Sequence, residues 1–291
     1  ARAGVDRDAG TREDDRALAD AWRSARVLVV DAGEALVDCT GLVLVEPDQA
    51  PDGDRLYLGR DLEAAYFAVA GPLPDVAGQR VTLRDVGARL SARDAGLLAH
   101  AVGLANWHAR HPRCPRCGAP TVSVRGGAVR RCTADDSEHF PRTDPAVIVL
   151  VTDGADRCVL GRQPVWPPGR FSALAGFVEP GESLEQAVAR EVAEESGLQV
   201  RDVIYRDSQP WPFPASLMLA FRAVTDGTAT PVSRDGELAE VGWFTRQQVR
   251  EAGGWGDSDG PASQRPLLLP PPVSIAWKLI TDWAAEVRPA G

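Results

Sequence analysis

The sequence predicts an α+β protein: a sandwich with strands on both sides of a central helix, preceded by a cysteine-bearing segment and a small mixed N-terminal domain. Three observations carry this expectation. Short apolar runs bounded by Gly, Asp and Pro recur along the chain, as strands joined by turns do. Two stretches, opening at Ser91 and Ser183, set apolar residues at helical spacing behind a capping residue. At 291 residues the chain is long enough for two domains with separate cores. The expected boundaries are 1–111 for the N-terminal domain, 112–141 for the cysteine segment, and 142–291 for the sandwich with its closing helix.

In chain order, residues 1–24 are polar and read as poorly ordered or as a loosely docked helix. From Arg26 to Val45 the runs VLVV and LVLV, broken by Asp-Ala-Gly and Thr-Gly, predict strands, and Leu56–Gly59, Ala65–Val69 and Val81–Leu83 continue the texture. Ser91 opens a helix through Ala92, Leu98 and Val102 to about Arg110, where His111-Pro112 ends it. Ala146–Val151 and Cys158–Gly161 form a strand pair around Asp153-Gly154. After the helix that opens at Ser183, Val203–Tyr205, Leu217–Ala223 and Val241–Phe244 are further strands. The stretch Gly253–Pro272 reads as loop, and Ser274–Val287 as a helix carrying Ile275, Leu279 and Trp283.

Composition narrows the function classes. The chain carries 41 acidic against 32 basic side chains, a formal charge of −9. That argues against broad affinity for a nucleic-acid backbone, although Arg110, Arg113, Arg116, Arg125, Arg130 and Arg131 cluster locally. The longest aliphatic stretch, around Ala146–Val151, is far too short to cross a bilayer, and no apolar signal segment precedes the first domain. A cytoplasmic protein without membrane contact is the expectation.

Of five cysteines, Cys39 and Cys158 read as isolated buried thiols. Cys114-Pro-Arg-Cys117-Gly has the spacing of a zinc knuckle, and Cys132 follows after fourteen intervening residues. A second knuckle would place a ligand at 135, which is Asp135; His139 is the alternative fourth ligand. Either completes a closed tetrahedral site, hence structural rather than catalytic zinc.

Residues 176–198, GFVEPGESLEQAVAREVAEESGL, hold the strongest signal. Leu184, Ala187, Val188 and Val192 are spaced as one face of a helix, and Gly197 stands where a helix end favours glycine. Glu191, Glu194 and Glu195 share a helical face, and such a cluster repels itself unless a cation lies among the carboxylates. Oxygen-only ligands that leave room for phosphate suit Mg2+ or Mn2+. Downstream, Ser208-Gln209-Pro210-Trp211-Pro212-Phe213-Pro214-Ala215-Ser216 has prolines at alternate positions, which reads as a rigid extended segment outside any strand or helix interior.

The first run fits G-x5-E-x7-R-E-U-x-E-E-x-G-U, with U an aliphatic residue, without departure, and so resembles the Nudix box. The proline segment resembles the SQPWPFPxS array that follows the box in NADH pyrophosphatases. The resemblance covers the chain from about Arg84 onward and is strongest between Pro141 and Trp243; Asp135 is its clear departure. It implies a Nudix α/β/α sandwich and a metal-dependent pyrophosphatase acting on NADH or NAD, with the NAD cap of RNA 5′ ends, ADP-ribose or another nucleoside diphosphate derivative as alternatives. It implies Glu191 and Glu195 as principal metal ligands, with Glu194, the Ala175 carbonyl and Glu237 (or Glu240) completing the set. Glu194 or Glu237 would be the general base. Gln209, Pro210, Trp211, Pro212, Phe213, Pro214, Ala215 and Ser216 would line the nucleotide site. Phe177 would stack on adenine with Phe140 of the other subunit of a homodimer, and Arg84 and Ala276 are weaker substrate contacts.

Overall fold

The computed structural model describes residues 4–234, 236–256 and 266–286. The chain forms two compact units: Ala1–Thr143 together with Pro210–Ala215, and Asp144–Gln209 together with Ser216–Gly291.

In the first unit, short helices α1 (Ala9–Arg12) and α2 (Asp15–Trp22) take the helical alternative expected for the terminus. Asp14 caps α2 by accepting from the Arg16 and Ala17 amides, and Leu18, Ala21 and Trp22 give the helix an apolar face to dock. Strands β1 (Arg26–Val30), β2 (Glu34–Val37), β3 (Arg55–Arg60), β4 (Ala65–Ala70) and β5 (Gln79–Thr82) follow, then α3 (Leu83–Val86) and α4 (Ala92–Arg110). Leu83 therefore begins a helical turn instead of ending a strand. The Thr82 and Asp85 side chains form a capping box that stops β5 there.

The sheet order is β1-β4-β3, and strand alternation sorts its two faces. Leu28, Val30, Leu56, Leu58 and Ala68 meet Leu97, Leu98, Ala101 and Val102 of α4. Val27, Val29, Tyr57, Phe67 and Val69 meet α2 on the other face. The cysteine segment forms its own small sheet, β6 (Thr121–Val124), β7 (Val129–Cys132) and β8 (Glu138–His139), in the order β6-β7-β8. Cys158 is buried as expected, but Cys39 is exposed, because it lies in the turn where the Asp38 carboxylate accepts from the Thr40 amide and hydroxyl.

The second unit contains β9 (Asp144–Thr152), β10 (Arg157–Arg162), β11 (Leu174–Phe177), α5 (Leu184–Ser196), β12 (Arg201–Trp211), β13 (Ser216–Val224), β14 (Glu240–Thr245), α6 (Arg246–Arg250), β15 (Gly253–Gly254), β16 (Leu268–Leu269) and α7 (Ile275–Ala285). The sheet runs β12-β13-β9-β10-β14, with β11 also paired to β9. Strand β9 is buried on both faces, and its alternation builds the sandwich. Val147, Val149 and Val151 point to Val188 and Val192 of α5, and Ile148 and Leu150 to Leu279, Ile280 and Trp283 of α7. Each such side chain, fully buried, contributes roughly 1.5–3 kcal/mol.

Two expectations are corrected here. The proline segment does not lie outside the strands: β12 continues through Pro210 to Trp211, with a turn only at 212–215. As the edge strand, β12 tolerates a residue without an N–H donor. Within the expected loop Gly253–Pro272, Gly253 and Gly254 pair in parallel with Leu268 and Leu269, two apolar residues that are both buried. Val287, the expected end of the last helix, lies outside the described residues.

Candidate active site and cysteine metal centre

Helix α5 sets out the carboxylates. A capping box of Ser183 and Gln186 starts it, and Gly197, at φ 70°, ends it in the left-handed conformation that glycine adopts freely. Ala187, Val188 and Val192 bury one stripe against the sheet. Glu191 and Glu195 fall at the margin of that stripe and are buried at 8% and 3% exposure, whereas Glu194, a step round the helix, is exposed.

Arg190 organises these acids. Nε donates to Glu182 Oε1 (2.6 Å), and Nη2 to Glu182 Oε2 and the Phe177 carbonyl (both 2.9 Å). Nη1 donates to Glu191 Oε1 (2.8 Å) and Glu194 Oε2 (3.0 Å). These bonds match the five N–H donors of a guanidinium, so Arg190 orients carboxylates and keeps no donor for phosphate. Gly176 is part of the same construction: a β-carbon there would collide with the Glu191 carboxylate. Glu195 Oε2 accepts from the Ala175 amide (3.1 Å), which ties strand β11 to the last turn of α5.

Burial pushes the Glu191 carboxyl above its ordinary range against the pull of Arg190, and repulsion from Glu194 and Glu237 adds to it. Arg190 holds the Glu182 carboxyl down at about 2. Glu237 thus acts on Glu191 from the loop after β13. That loop is anchored to the end of α5 by Val232 N to Ser196 O (2.9 Å) and Arg234 N to Glu194 O (3.2 Å). Glu240 is engaged elsewhere, since Arg162 Nη2 lies 2.6 Å from its Oε1. One arginine among Glu182, Glu191, Glu194, Glu195 and Glu237 leaves an excess of negative charge, with Glu191 and Glu195 buried, that suits a divalent cation. One carboxylate oxygen of Glu191 and one of Glu194 accept from Arg190.

The cysteine segment is more compact. The donor atoms of Cys114, Cys117, Cys132 and Asp135 all lie within 4.8 Å of one another, the only such group among the described residues. Backbone amides of Arg116 and Ala134 point at the Cys114 and Cys132 sulfurs (both 3.4 Å), and Gly118, at φ 77°, closes the first knuckle. The Ser137 hydroxyl (2.5 Å) and amide (3.0 Å) fix Asp135 Oδ1 and hold its carboxyl down at about 2. His139 lies outside this group, with Nε2 3.2 Å from the Ser137 hydroxyl. The donor chemistry fits zinc.

The remaining candidates are spread over both units. Phe140 and Phe177 are exposed, at 63% and 59%. Arg84 lies over the Phe213 ring (4.1 Å) and near Trp211 (5.5 Å), whose rings meet edge to face at 5.0 Å. Gln209 pairs with the start of α7, its Nε2 donating to Val273 O (2.7 Å) and its Oε1 accepting from Ile275 N (2.8 Å). Ala276 is buried in the core. Pro212 is buried, Pro210 and Pro214 are exposed, Ala215 is half-buried, and Ser216 opens β13 opposite Asp144. The arginine cluster is smaller than it reads: Arg130 is buried against Thr121 and His108, and Arg125 and Arg131 pair with Glu138. Arg110, Arg113 and Arg116 remain exposed.

Residues 142–264 match the family model of the Nudix domain, 109–140 that of the NADH pyrophosphatase zinc ribbon domain, and 16–107 that of the NADH pyrophosphatase-like rudimentary Nudix domain. The NAD-capped RNA hydrolase NudC of Mycobacterium bovis (strain BCG / Pasteur 1173P2) is 44% identical over 98% of this chain and 94% of its own. The chain belongs to the NADH pyrophosphatase family of Nudix hydrolases. The NudC of Mycobacterium tuberculosis (strain ATCC 25618 / H37Rv) matches to the same extent. The human NAD-capped RNA hydrolase NUDT12 is 41% identical over 67% of this chain and 43% of its own. Membership of this Nudix family also accounts for the N-terminal domain, whose sequence signals no chemistry. Residues 16–107 hold no counterpart of the glutamate box, so a reading by motifs has nothing there to find.

Proposed function

We propose that this NADH pyrophosphatase-family enzyme hydrolyses the diphosphate of NADH and NAD to nicotinamide mononucleotide and AMP, using Mg2+ or Mn2+ at the box. The observation that carries the reading is the cluster of glutamates, with Glu191 and Glu195 buried, around an arginine whose donors are all engaged. A divalent cation there would neutralise charge on the diphosphate oxygens and lower the pKa of an attacking water. Glu191, Glu195 and the Ala175 carbonyl would hold it, with Glu194 and Glu237 in support. Glu194 or Glu237 would take the water's proton.

The aromatic pair Trp211 and Phe213, with Arg84, supplies flat surfaces for a base, and the Gln209–Ser216 segment would line the nucleotide site. Phe177 and Phe140, both exposed, fit adenine stacking in a homodimer. Zinc on Cys114, Cys117, Cys132 and Asp135 would be structural. Among the described residues no helix is long and apolar enough to cross a membrane, in keeping with a cytoplasmic enzyme.

Removal of the NAD cap from RNA by the same chemistry is the second reading, favoured by the names of the relatives and by the exposed Arg110, Arg113 and Arg116. Mass spectrometry of products from NADH, NAD, ADP-ribose and NAD-capped RNA, with Mg2+, Mn2+ or EDTA, tests both. Formation of AMP and nicotinamide mononucleotide only with added metal is expected. Metal-independent turnover, or none on any dinucleotide, would refute the proposal. If the arginines meet RNA, decapping falls steeply with salt while NADH hydrolysis does not.

A further inference from the structure

Asparagine is a poor helix former, yet Asn106 occupies the penultimate turn of α4. Its amide leaves the helix altogether: Nδ2 donates to Pro212 O (3.0 Å) and, at greater length, to Pro214 O (3.4 Å). One turn earlier, Gly103 offers a flat surface beside the same segment, where an added β-carbon would rest 3.8 Å from Pro212 Cβ. The segment needs an outside donor. Pro210, Pro212 and Pro214 bring carbonyl acceptors but no N–H, and the Phe213 amide is already directed at Trp211 O (2.7 Å). Asn106 bonds the two carbonyls that flank Phe213. The ring between them meets Arg84 at 4.1 Å and Trp211 at 5.0 Å.

We propose that Asn106 is a positioning residue for nucleotide binding: its amide, bonded on both sides of Phe213, fixes the Phe213 and Trp211 rings in the orientation in which they receive the substrate. The proposal rests on the reading of this segment as the nucleotide site. Asn106 acts on the segment through the Pro212 and Pro214 carbonyls, so its removal is expected to act on binding and to leave the chemical step intact.

The test is steady-state hydrolysis of NADH, with saturating divalent metal, by the full chain carrying Asn106→Asp. This change keeps the shape and sets an acceptor against two carbonyls. KM is expected to rise about tenfold or more, with kcat changed by less than about twofold. An unchanged KM in folded protein overturns the proposal, as does a fall in kcat equal to the fall in kcat/KM. A merely structural role would lower the melting temperature and the active fraction without moving KM. Should Asn106→Asp fail to fold, Asn106→Ala carries the same test. Trp211→Ala, assayed in parallel, separates the two layers. If it leaves KM unchanged, the reading of the segment itself fails. If it raises KM while the Asn106 variants do not, only the role of Asn106 is lost.

Discussion

Gly176 and Glu191 share one volume of space, and the absence of a side chain on the first lets the carboxylate of the second lie against β11. Gly176→Ala is therefore expected to displace Glu191 and reduce turnover by about a hundredfold or more, with β11 still paired to β9; steady-state kinetics beside circular dichroism would check it. Glu195→Gln keeps the volume and removes a charge. Loss of about 10^3-fold or more in kcat, without change in melting temperature, is expected, the scale set by several kcal/mol of charge stabilisation from a bound cation. A variant with near wild-type activity would refute the assignment. At this scale the sequence reads well wherever a position has a fixed chemical duty, as the box glutamates do. It reads poorly wherever partnership decides: Glu237 and Glu240 are alike in sequence, and only the structure sets Glu237 against Glu191 and Arg162 against Glu240.

At the level of elements, Glu182 and Arg190 staple the loop before α5 to the helix itself. A carboxyl held below its ordinary value of 4.5, here to about 2, contributes stability that is complete above the unfolded value and disappears as pH falls through the folded one. The melting-temperature gap between wild type and Glu182→Gln should accordingly stay constant above about pH 5 and close as the medium is acidified toward about 2. A gap that widens in acid would contradict the pairing. A continuous aliphatic run made β9 legible, because that strand is buried on both faces, and helical periodicity did the same for α5, which buries one stripe. It did not disclose that β12 runs on through Pro210, since an edge position in the sheet, and not local propensity, permits proline there.

Across the whole molecule, the cysteine centre offers an independent check. Purified protein is expected to carry about one zinc per chain, and Asp135→Ala to weaken zinc retention about tenfold or more in chelator competition, with His139→Ala leaving it unchanged. The reverse order would restore His139 as the fourth ligand. The sequence left this choice open because Asp135 and His139 are both competent donors at workable spacing. Only the knuckle around Ser137 separates them.

Pro210–Ala215 groups with the first unit although the residues on either side of it belong to the second. The boundary at Thr143 is consequently not a place where the chain can be cut into independent parts. A fragment beginning at Asp144 would keep the glutamate box but lose Arg84 and Asn106, the partners of its own aromatic segment. An exchange of N-terminal domains between related enzymes would likewise have to carry those six residues along with it.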